Sequence, residues 1–187
     1  MRFPELRALR TERLILRKLR REDVRDYYER IGSSEAVTRH MLFQPHRSID
    51  DSVASIEKTL RRYETGKCFR WGITLRGDDR IIGVFDLLAF DERENRCSFA
   101  YMLGEHWWGR GYATEAMKAV FRFAFEEMGI ETITVDHFAE NPASGAVMRK
   151  ALMRQTGIRP GAYEKNGALH DAVCYELTRK EWEHDHQ

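Results

Sequence analysis

Trp107-Trp108-Gly109-Arg110-Gly111-Tyr112-Ala113-Thr114-Glu115-Ala116 is the stretch that decides how this chain is read. It follows an apolar run ending at Leu103 and opens a segment with helical spacing. Gly109 and Gly111 permit a tight turn and a close approach of backbone to a ligand. Unpaired N–H groups at a helix start favour an anion, phosphate above all. The residues therefore point to a ligand that carries a pyrophosphate, with Arg110 as added charge. Two other phosphate loops do not fit. A Walker loop needs Lys and then Ser or Thr after its last glycine. Gly104 and Gly109 have the spacing, but Arg110 and Gly111 stand in those places. A dinucleotide fingerprint needs a third small residue and a βαβ unit. Thr114 stands at the third position, and the strands ahead of it form a meander. Glycines chosen for turn geometry alone would also give this G-x-G, so the surrounding chain has to decide.

Upstream, residues 69–75, 81–90 and 96–103 read as three strands. Arg76-Gly77-Asp78-Asp79 and the charged loop 91–95 join them, too short for crossovers, so the three form an antiparallel meander. Residues 13–19 read as a first strand. Residues 22–31 read as a short helix with Val24, Tyr27, Tyr28 and Ile31 on one side. Ser48 begins a second helix, with Asp51 completing a capping box. Val53, Ile56, Leu60 and Tyr63 recur along it, and Gly66 ends it. Downstream, a helix over 112–128 places Ala113, Ala116, Met117, Val120, Ala124 and Met128 on one broad face and stops at Gly129. A strand over 130–136 follows. Asn141-Pro142 starts another helix, expected to run to about Gln155. Asn166-Gly167 marks a hairpin between 163–165 and 168–177, with Val173, Tyr175 and Leu177 facing the core. The alternation implies an α/β (α+β) fold, and the absence of repeats and linkers implies one domain over residues 1–187.

Composition removes several function classes. The 187 residues carry 31 basic and 30 acidic side chains, a net charge of +1, which argues against a dedicated nucleic-acid binder. The arginine-rich segment from Arg13 to Arg25 is interrupted by acids and reads as a solvated face. No apolar run approaches the length of a membrane span, and the arginine-studded start is no secretory signal. Cys68, Cys97 and Cys174 are odd in number and widely spaced, which is no disulfide framework and suits a reducing cytoplasm. No C-x-x-C occurs, so no metal site is expected. His184 and His186 beside Asp185 read as a frayed polar end.

The wider context resembles the GNAT superfamily of acetyl-CoA-dependent N-acetyltransferases. The family's pyrophosphate loop, Q/R-x-x-G-x-G/A, aligns on Trp108-Gly109-Arg110-Gly111-Tyr112-Ala113, with Trp at the first position. The wording W-G-x-G-Y-A-T-E-A is similar to that of the ribosomal-protein alanine N-acetyltransferases and their relatives. So are Thr11-Glu12-Arg13-Leu14-Ile15-Leu16-Arg17, Asn141-Pro142-Ala143-Ser144 and the closing Leu177-Thr178…Glu181-Trp182. The resemblance spans roughly residues 11–182 and is specific for the superfamily, not for the acceptor. It implies a mixed, mostly antiparallel splayed sheet flanked by about four helices. Pantetheine would lie in the splay and pair with backbone around Tyr101, Met102 and Leu103. Pyrophosphate would take N–H groups from Gly109, Arg110, Gly111, Tyr112, Ala113 and Thr114. Asn141 would contact the pantetheine arm, and Arg149 would approach the phosphates.

Acetyl transfer to an amine needs a neutral amine, a stabilised oxyanion and a protonated leaving thiolate. The resemblance implies that a backbone N–H near Met102 or Leu103 polarises the carbonyl. Many relatives carry a Tyr acid seven residues after the Asn, where Met148 stands here. The ribosomal-protein branch uses a Ser three residues after it, which is Ser144. Asp86 is the first candidate for the base, with Glu105 and Glu140 on nearby loops. The strand carboxylate of many relatives is absent, because Ser98-Phe99-Ala100-Tyr101 occupies that segment. Leu152-Met153 replaces a common Gly-Phe. A weak base favours amines of low pKa. At pH 7 roughly a tenth of α-amines are neutral, against about one lysine in a few thousand. Trp107 and Trp108 either line the cleft or support the loop, and His137 is either structural or in reach of substrate. A nucleophilic Cys97 is the less favoured scheme beside direct transfer. The expected acceptor is a protein or peptide N-terminus, with a small-molecule amine as the alternative and a non-catalytic acyl-CoA sensor as the rival from another class. Residues 31–44 and 150–163 would shape the acceptor pocket, with Arg39, His40 and Phe43 among them. A homodimer is common among such relatives.

Overall fold

The meander over residues 69–103 sets the frame of the structure, a computed structural model that describes residues 1–184. Asp185 and His186, expected as part of the polar end, lie outside the described residues. Strands β3 (Phe69–Leu75), β4 (Asp78–Asp91) and β5 (Arg96–Leu103) pair antiparallel as their short connections require. β2 (Leu14–Arg17) extends them at β3, and β1 (Leu9–Arg10), which the sequence pattern did not disclose, forms the edge beyond it. On the other side stand β6 (Thr132–Phe138), β8 (Ala168–Thr178) and β7 (Arg154–Lys165). The eight-stranded order is β1-β2-β3-β4-β5-β6-β8-β7, and β5–β6 is its one parallel pair.

Helices cover both faces. On one lie α4 (Tyr112–Arg122), which runs on through a wider turn at Phe123–Glu127, and α5 (Pro142–Lys150). They pack over Leu14, Leu16, Trp71, Phe85, Phe99 and Tyr175. On the other lie α1 (Val24–Tyr27), α2 (Glu35–Thr38) and α3 (Ile49–Tyr63). Tyr27, Ile31, Val37 and Ile56 meet Ile81, Val84 and Met102 there. α6 (Arg179–His184) closes the described chain and buries Trp182. Side chains alternate across a strand, so β5 gives Cys97, Phe99 and Leu103 to the first layer and Met102 to the second.

Local signals explain most boundaries. Ser48 and Asp51 form the expected capping box at α3. Asn166 and Gly167 both take positive φ, +53° and +77°, as a two-residue hairpin turn demands. Three expectations need correction. Val53 is 40% exposed, because the buried face of α3 runs through Ser52, Ile56 and Thr59. Burying Ser52 costs little there, since its hydroxyl meets His46 Nδ1 at 2.7 Å. The helix begun at Asn141 stops at Lys150, short of Gln155. Leu152 takes φ +71° where a glycine would end a helix without strain, and the chain then enters β7. The segment 150–163 is therefore mostly strand, and residues 35–38 form the helix α2 that sequence pattern missed.

Candidate active site

The sheet opens where its parallel pair ends. β5 and β6 match only from Arg96↔Thr132 to Ser98↔Thr134. Beyond that, β5 stays with β4 as far as Gly83↔Leu103, and β6 stays with β8 as far as Phe138↔Ala172. Successive strand residues turn their backbone groups to opposite sides. Gly104 donates to the Ile82 carbonyl on β4. The backbone of Met102 therefore also faces β4, while Tyr101 and Leu103 turn theirs into the opening. There the indole N–H of Trp108 donates to the Leu103 carbonyl at 2.6 Å.

The glycine loop follows directly. Gly109 and Gly111 take φ +73° and +80°, conformations that other residues adopt only with strain, and Gly111 caps α4. The first helical bond runs from Glu115 N–H to the Gly111 carbonyl, so the N–H groups ahead of it have no helical acceptor. The loop is held from below. Glu115 accepts from the Thr11 hydroxyl (2.5 Å), the Arg13 N–H (2.8 Å) and Arg13 Nε (2.6 Å). Arg13 also donates to the Arg110 carbonyl at 3.0 Å and lies over the Tyr112 ring. Two stretches distant in sequence, Thr11-Glu12-Arg13 and Tyr112-Ala113-Thr114-Glu115, thus form one brace. Arg30 packs on the Trp107 ring and steadies the loop's other end.

A cavity of about 520 Å³ occupies the opening. Tyr101, Met102 and Leu103 from β5, Gly109, Gly111, Tyr112, Ala113 and Thr114 from the loop, and Asn141 and Ser144 from α5 line it. The far end is lined by Arg39, His40 and Met41 after α2, together with Glu140. Glu105, Trp107 and Trp108 also line it, and Trp108 is 47% exposed.

Ser144 sits in a defined network. The Asn141 side chain accepts from the Ser144 N–H, capping α5, and its amide nitrogen donates to Ser144 Oγ at 3.0 Å. A backbone N–H only donates, which fixes the orientation of that amide. The Tyr101 hydroxyl donates to the same Oγ at 3.3 Å. Phe85 and Phe99 stack with the Tyr101 ring and hold it in place. Burial pushes the Tyr101 hydroxyl above its usual range and outweighs the opposing Ser144 bond, so it stays neutral and can donate. With both lone pairs of Ser144 Oγ engaged, its own proton is left to point away from these partners.

Two expected site residues, Asp86 and Arg149, lie away from the cavity. Asp86 faces the α1–α3 side with Ala100, the side opposite Tyr101, and pairs with Arg70 at 3.7 Å. Burial raises its carboxyl above the ordinary range, and Arg70 pulls it partly back. Arg149 donates to the Tyr175 hydroxyl at 2.8 Å behind α5, and the next residue, Lys150, lines the cavity instead. The Arg110 side chain does not line the cavity. Cys97 is buried away from it, with its thiol pushed up to about 12 by desolvation. His137 is buried beside Tyr175, its Nδ1 meeting the Phe138 carbonyl at 2.7 Å and its Nε2 without a hydrogen-bond partner. Met148 is buried in the core.

At the far end, burial and then Arg39 hold the His40 imidazole below its usual pKa. Glu140 is held below the ordinary carboxylate range by His170, 3.0 Å away. Sequence reading missed Arg13, Glu115 and Lys150. Thr11-x-Arg13 and Glu115 were visible as parts of motifs, but nothing in spacing announced that they touch. Among the described residues no group of three His, Cys, Asp or Glu is placed to hold a metal, and no helix is long and apolar enough to cross a membrane.

Comparison with known proteins gives the geometry a context. A family model described as an acetyltransferase (GNAT) domain matches residues 13–154. An uncharacterized N-acetyltransferase of Bacillus subtilis, YoaA, is 26% identical over 91% of this chain and 96% of its own length. The [ribosomal protein uS5]-alanine N-acetyltransferase of Escherichia coli is 25% identical over 96% of this chain and 94% of its own. Among solved structures, the ribosomal L7/L12 α-N-protein acetyltransferase RimL in complex with coenzyme A superposes with a TM-score of 0.82 at 19% identity, covering 91% of this chain and 97% of that one.

Proposed function

The chain belongs to the GNAT acetyltransferase family and is an acetyl-CoA-dependent N-acetyltransferase, and from that premise we propose that its acceptor is the α-amine of a protein or peptide N-terminus. The observation that carries this reading is the Tyr101–Ser144–Asn141 network on the wall of a cavity with two distinct ends. One end is the positive-φ glycine loop at the start of α4, and the other is the α2 loop with His40 and Glu140.

The residues present fit acetyl-CoA as co-substrate, which supplies an acetyl group activated as a thioester. The N–H groups from Gly109 to Thr114 are suited to its pyrophosphate, as helix starts are for anions generally. Lys150 on the cavity wall adds the positive charge that Arg149, turned to Tyr175, does not bring. The backbone groups that Tyr101 turns into the opening, with the Leu103 N–H, are suited to the amides of pantetheine, while Trp108 engages the Leu103 carbonyl, and Asn141 faces them across the cavity. The N–H of Leu103 points into the opening and is the donor placed to polarise a carbonyl there.

Ser144 is the group placed to give a proton to the departing sulfur, because Tyr101 and Asn141 both donate to its oxygen and leave its hydrogen free. Asp86 does not line the cavity; Glu140 and His40 at its far end, with Glu105, are the groups on its wall able to take the proton of the amine. Glu140 and His40 are held in proton-accepting form at neutral pH. They are weak bases, which favours an α-amine, already about a tenth neutral at pH 7, over lysine. The relatives whose names specify ribosomal-protein alanine or α-N-protein acetylation support the same class of acceptor.

The test uses two peptides: an alanine-initiated peptide without lysine, and the same peptide with a blocked α-amine and one internal lysine. Mass spectrometry after incubation with acetyl-CoA is expected to show one acetyl group on the first and none on the second. Transfer to the lysine alone, or only to a small amine such as spermidine, overturns the proposal.

A further inference from the structure

We propose that Lys165 is the specificity-determining pin of the acceptor entrance, closing it into an arch that a slender primary amine enters end-on. The inference deepens the proposed function and rests on that reading for the identity of the substrate. Its structural basis stands on its own. The ammonium of Lys165, the last residue of β7, donates to the carbonyls of Thr38 at 2.9 Å, Arg39 at 3.0 Å and Met41 at 2.5 Å. An ammonium has three N–H donors, so this one is saturated by a single loop. Arg39 and Met41, with His40 between them, line the cavity. The contact therefore joins the wall of the site to the tip of the β7–β8 hairpin, more than 120 residues away in the chain.

α2 has four residues, too few for a helix to persist on its own. The Ser34 hydroxyl caps its start by accepting from the Val37 N–H. Lys165 does the equivalent work at its end, where a cation is favoured, sharing the Thr38 carbonyl with the Met41 N–H. Gln44 adds a second tie by donating to the Asn166 side chain at 2.8 Å. The hairpin itself is anchored to β6, because Tyr163 stacks on Phe138 with ring centroids 4.3 Å apart and Phe138 in turn meets the His40 ring. Loop, hairpin and β6 thus form one connected assembly, and its loop side lines the far end of the cavity. A wall held in this way sets the width of the entrance: it admits the end of an extended chain and disfavours a branched first residue.

The experiment compares Lys165→Met, which keeps length and removes the charge, with Lys165→Arg. The probes are an alanine-initiated and an isoleucine-initiated hexapeptide amide, with acetyl-CoA varied separately. Lys165→Met is expected to raise KM for the alanine peptide about tenfold, to leave KM for acetyl-CoA unchanged, and to narrow the preference for alanine over isoleucine. Lys165→Arg, whose planar fork cannot converge on three carbonyls, should fall between. Hydrogen exchange gives a readout that needs no turnover. Amides of residues 36–46 should exchange faster in Lys165→Met while those of β5 and α4 do not. Unchanged exchange in 36–46 overturns the pin, whether or not the wild type acetylates either peptide. Faster exchange with both KM values unaltered overturns the specificity role and leaves a purely structural tie. Failure of the wild type on both peptides, with exchange as expected, counts against the α-amine acceptor and not against the pin.

Discussion

Tyr101 donates its hydroxyl proton to Ser144 Oγ across 3.3 Å, and so links the free edge of β5 to the first turn of α5 on opposite walls of one cavity. The link makes the two side chains act as a unit. Ser144→Ala removes the proton donor, and a loss in kcat of about a hundredfold is expected for a general acid. Tyr101→Phe keeps the stack on Phe85 and Phe99 but frees one Ser144 lone pair, so a smaller loss of about tenfold is expected, with KM for acetyl-CoA unchanged. The double variant should be no slower than Ser144→Ala alone. Additive losses would mean that Tyr101 acts independently of Ser144.

The brace beneath the glycine loop carries a pH dependence. Burial alone would raise the Glu115 carboxyl, but hydrogen bonds from Thr11 and Arg13 more than reverse this and hold it below the ordinary Glu range. A depressed carboxyl contributes stability that is fully present above its unfolded pKa, near 4.3, and is lost as pH falls through the folded value. The difference in Tm between wild type and Glu115→Gln should therefore be full at pH 7 and shrink below about pH 4. A difference independent of pH would show that the charge of Glu115 does not hold the brace.

Gly145 on α5 faces His137 of β6 and Tyr175 of β8. A Cβ there would stand 2.8 Å from His137 Nε2, 2.9 Å from the Tyr175 hydroxyl and 3.2 Å from the Arg149 guanidinium. Gly145→Ala is expected to cost about 1–3 kcal/mol by overpacking. It should also lower kcat/KM, because α5 carries Asn141 and Ser144. Chemical denaturation and steady-state kinetics on one preparation check both parts.

Asp86 and Arg70 are one partly buried pair, with side-chain exposures of 16% and 15%. Asp86→Asn leaves the guanidinium without its counter-charge, and a loss of about 3 kcal/mol or more is expected. The folded variant should keep the acidic limb of the wild-type pH–rate profile. Loss of that limb with stability intact would return Asp86 to the role of base.

The parts of the fold that sequence disclosed are those set by local chemistry. The capping residues Ser48 and Asn141, the turn at Asn166-Gly167 and the glycines at 109, 111 and 129 each act within a few residues, so their effect can be read from neighbours. The meander was legible because its connections permit only antiparallel pairing. The misses are tertiary. α2 is four residues long and held by Lys165 from the far end of the chain, and no window of sequence contains that contact. Val53 has an apolar side chain at helical spacing, yet the face of α3 was settled by the partners waiting for Ser52. α5 stopped early because Leu152 accepts a strained conformation that a glycine normally marks. At the site, the loop and Ser144 were legible as motifs. The divergence of Arg149 and Lys150 was not, because it depends on which neighbour the Tyr175 hydroxyl engages. The side of the sheet on which Asp86 lies was fixed by register, which motif reading does not supply.

The opening between β5 and β6, with the glycine loop at its end, is the place proposed here for acetyl-CoA. Isothermal titration of the wild type and of Gly111→Val with acetyl-CoA, with ATP as the control ligand, tests it most directly. Gly111 takes φ +80°, with the Arg13 guanidinium 3.4 Å from where a Cβ would sit, so valine strains the turn whatever space it finds. One acetyl-CoA per chain is expected for the wild type, with no comparable heat from ATP and at least tenfold weaker acetyl-CoA binding by a folded Gly111→Val, about 1.4 kcal/mol or more. Equal binding of acetyl-CoA by both proteins, or binding of ATP in its place, would contradict it.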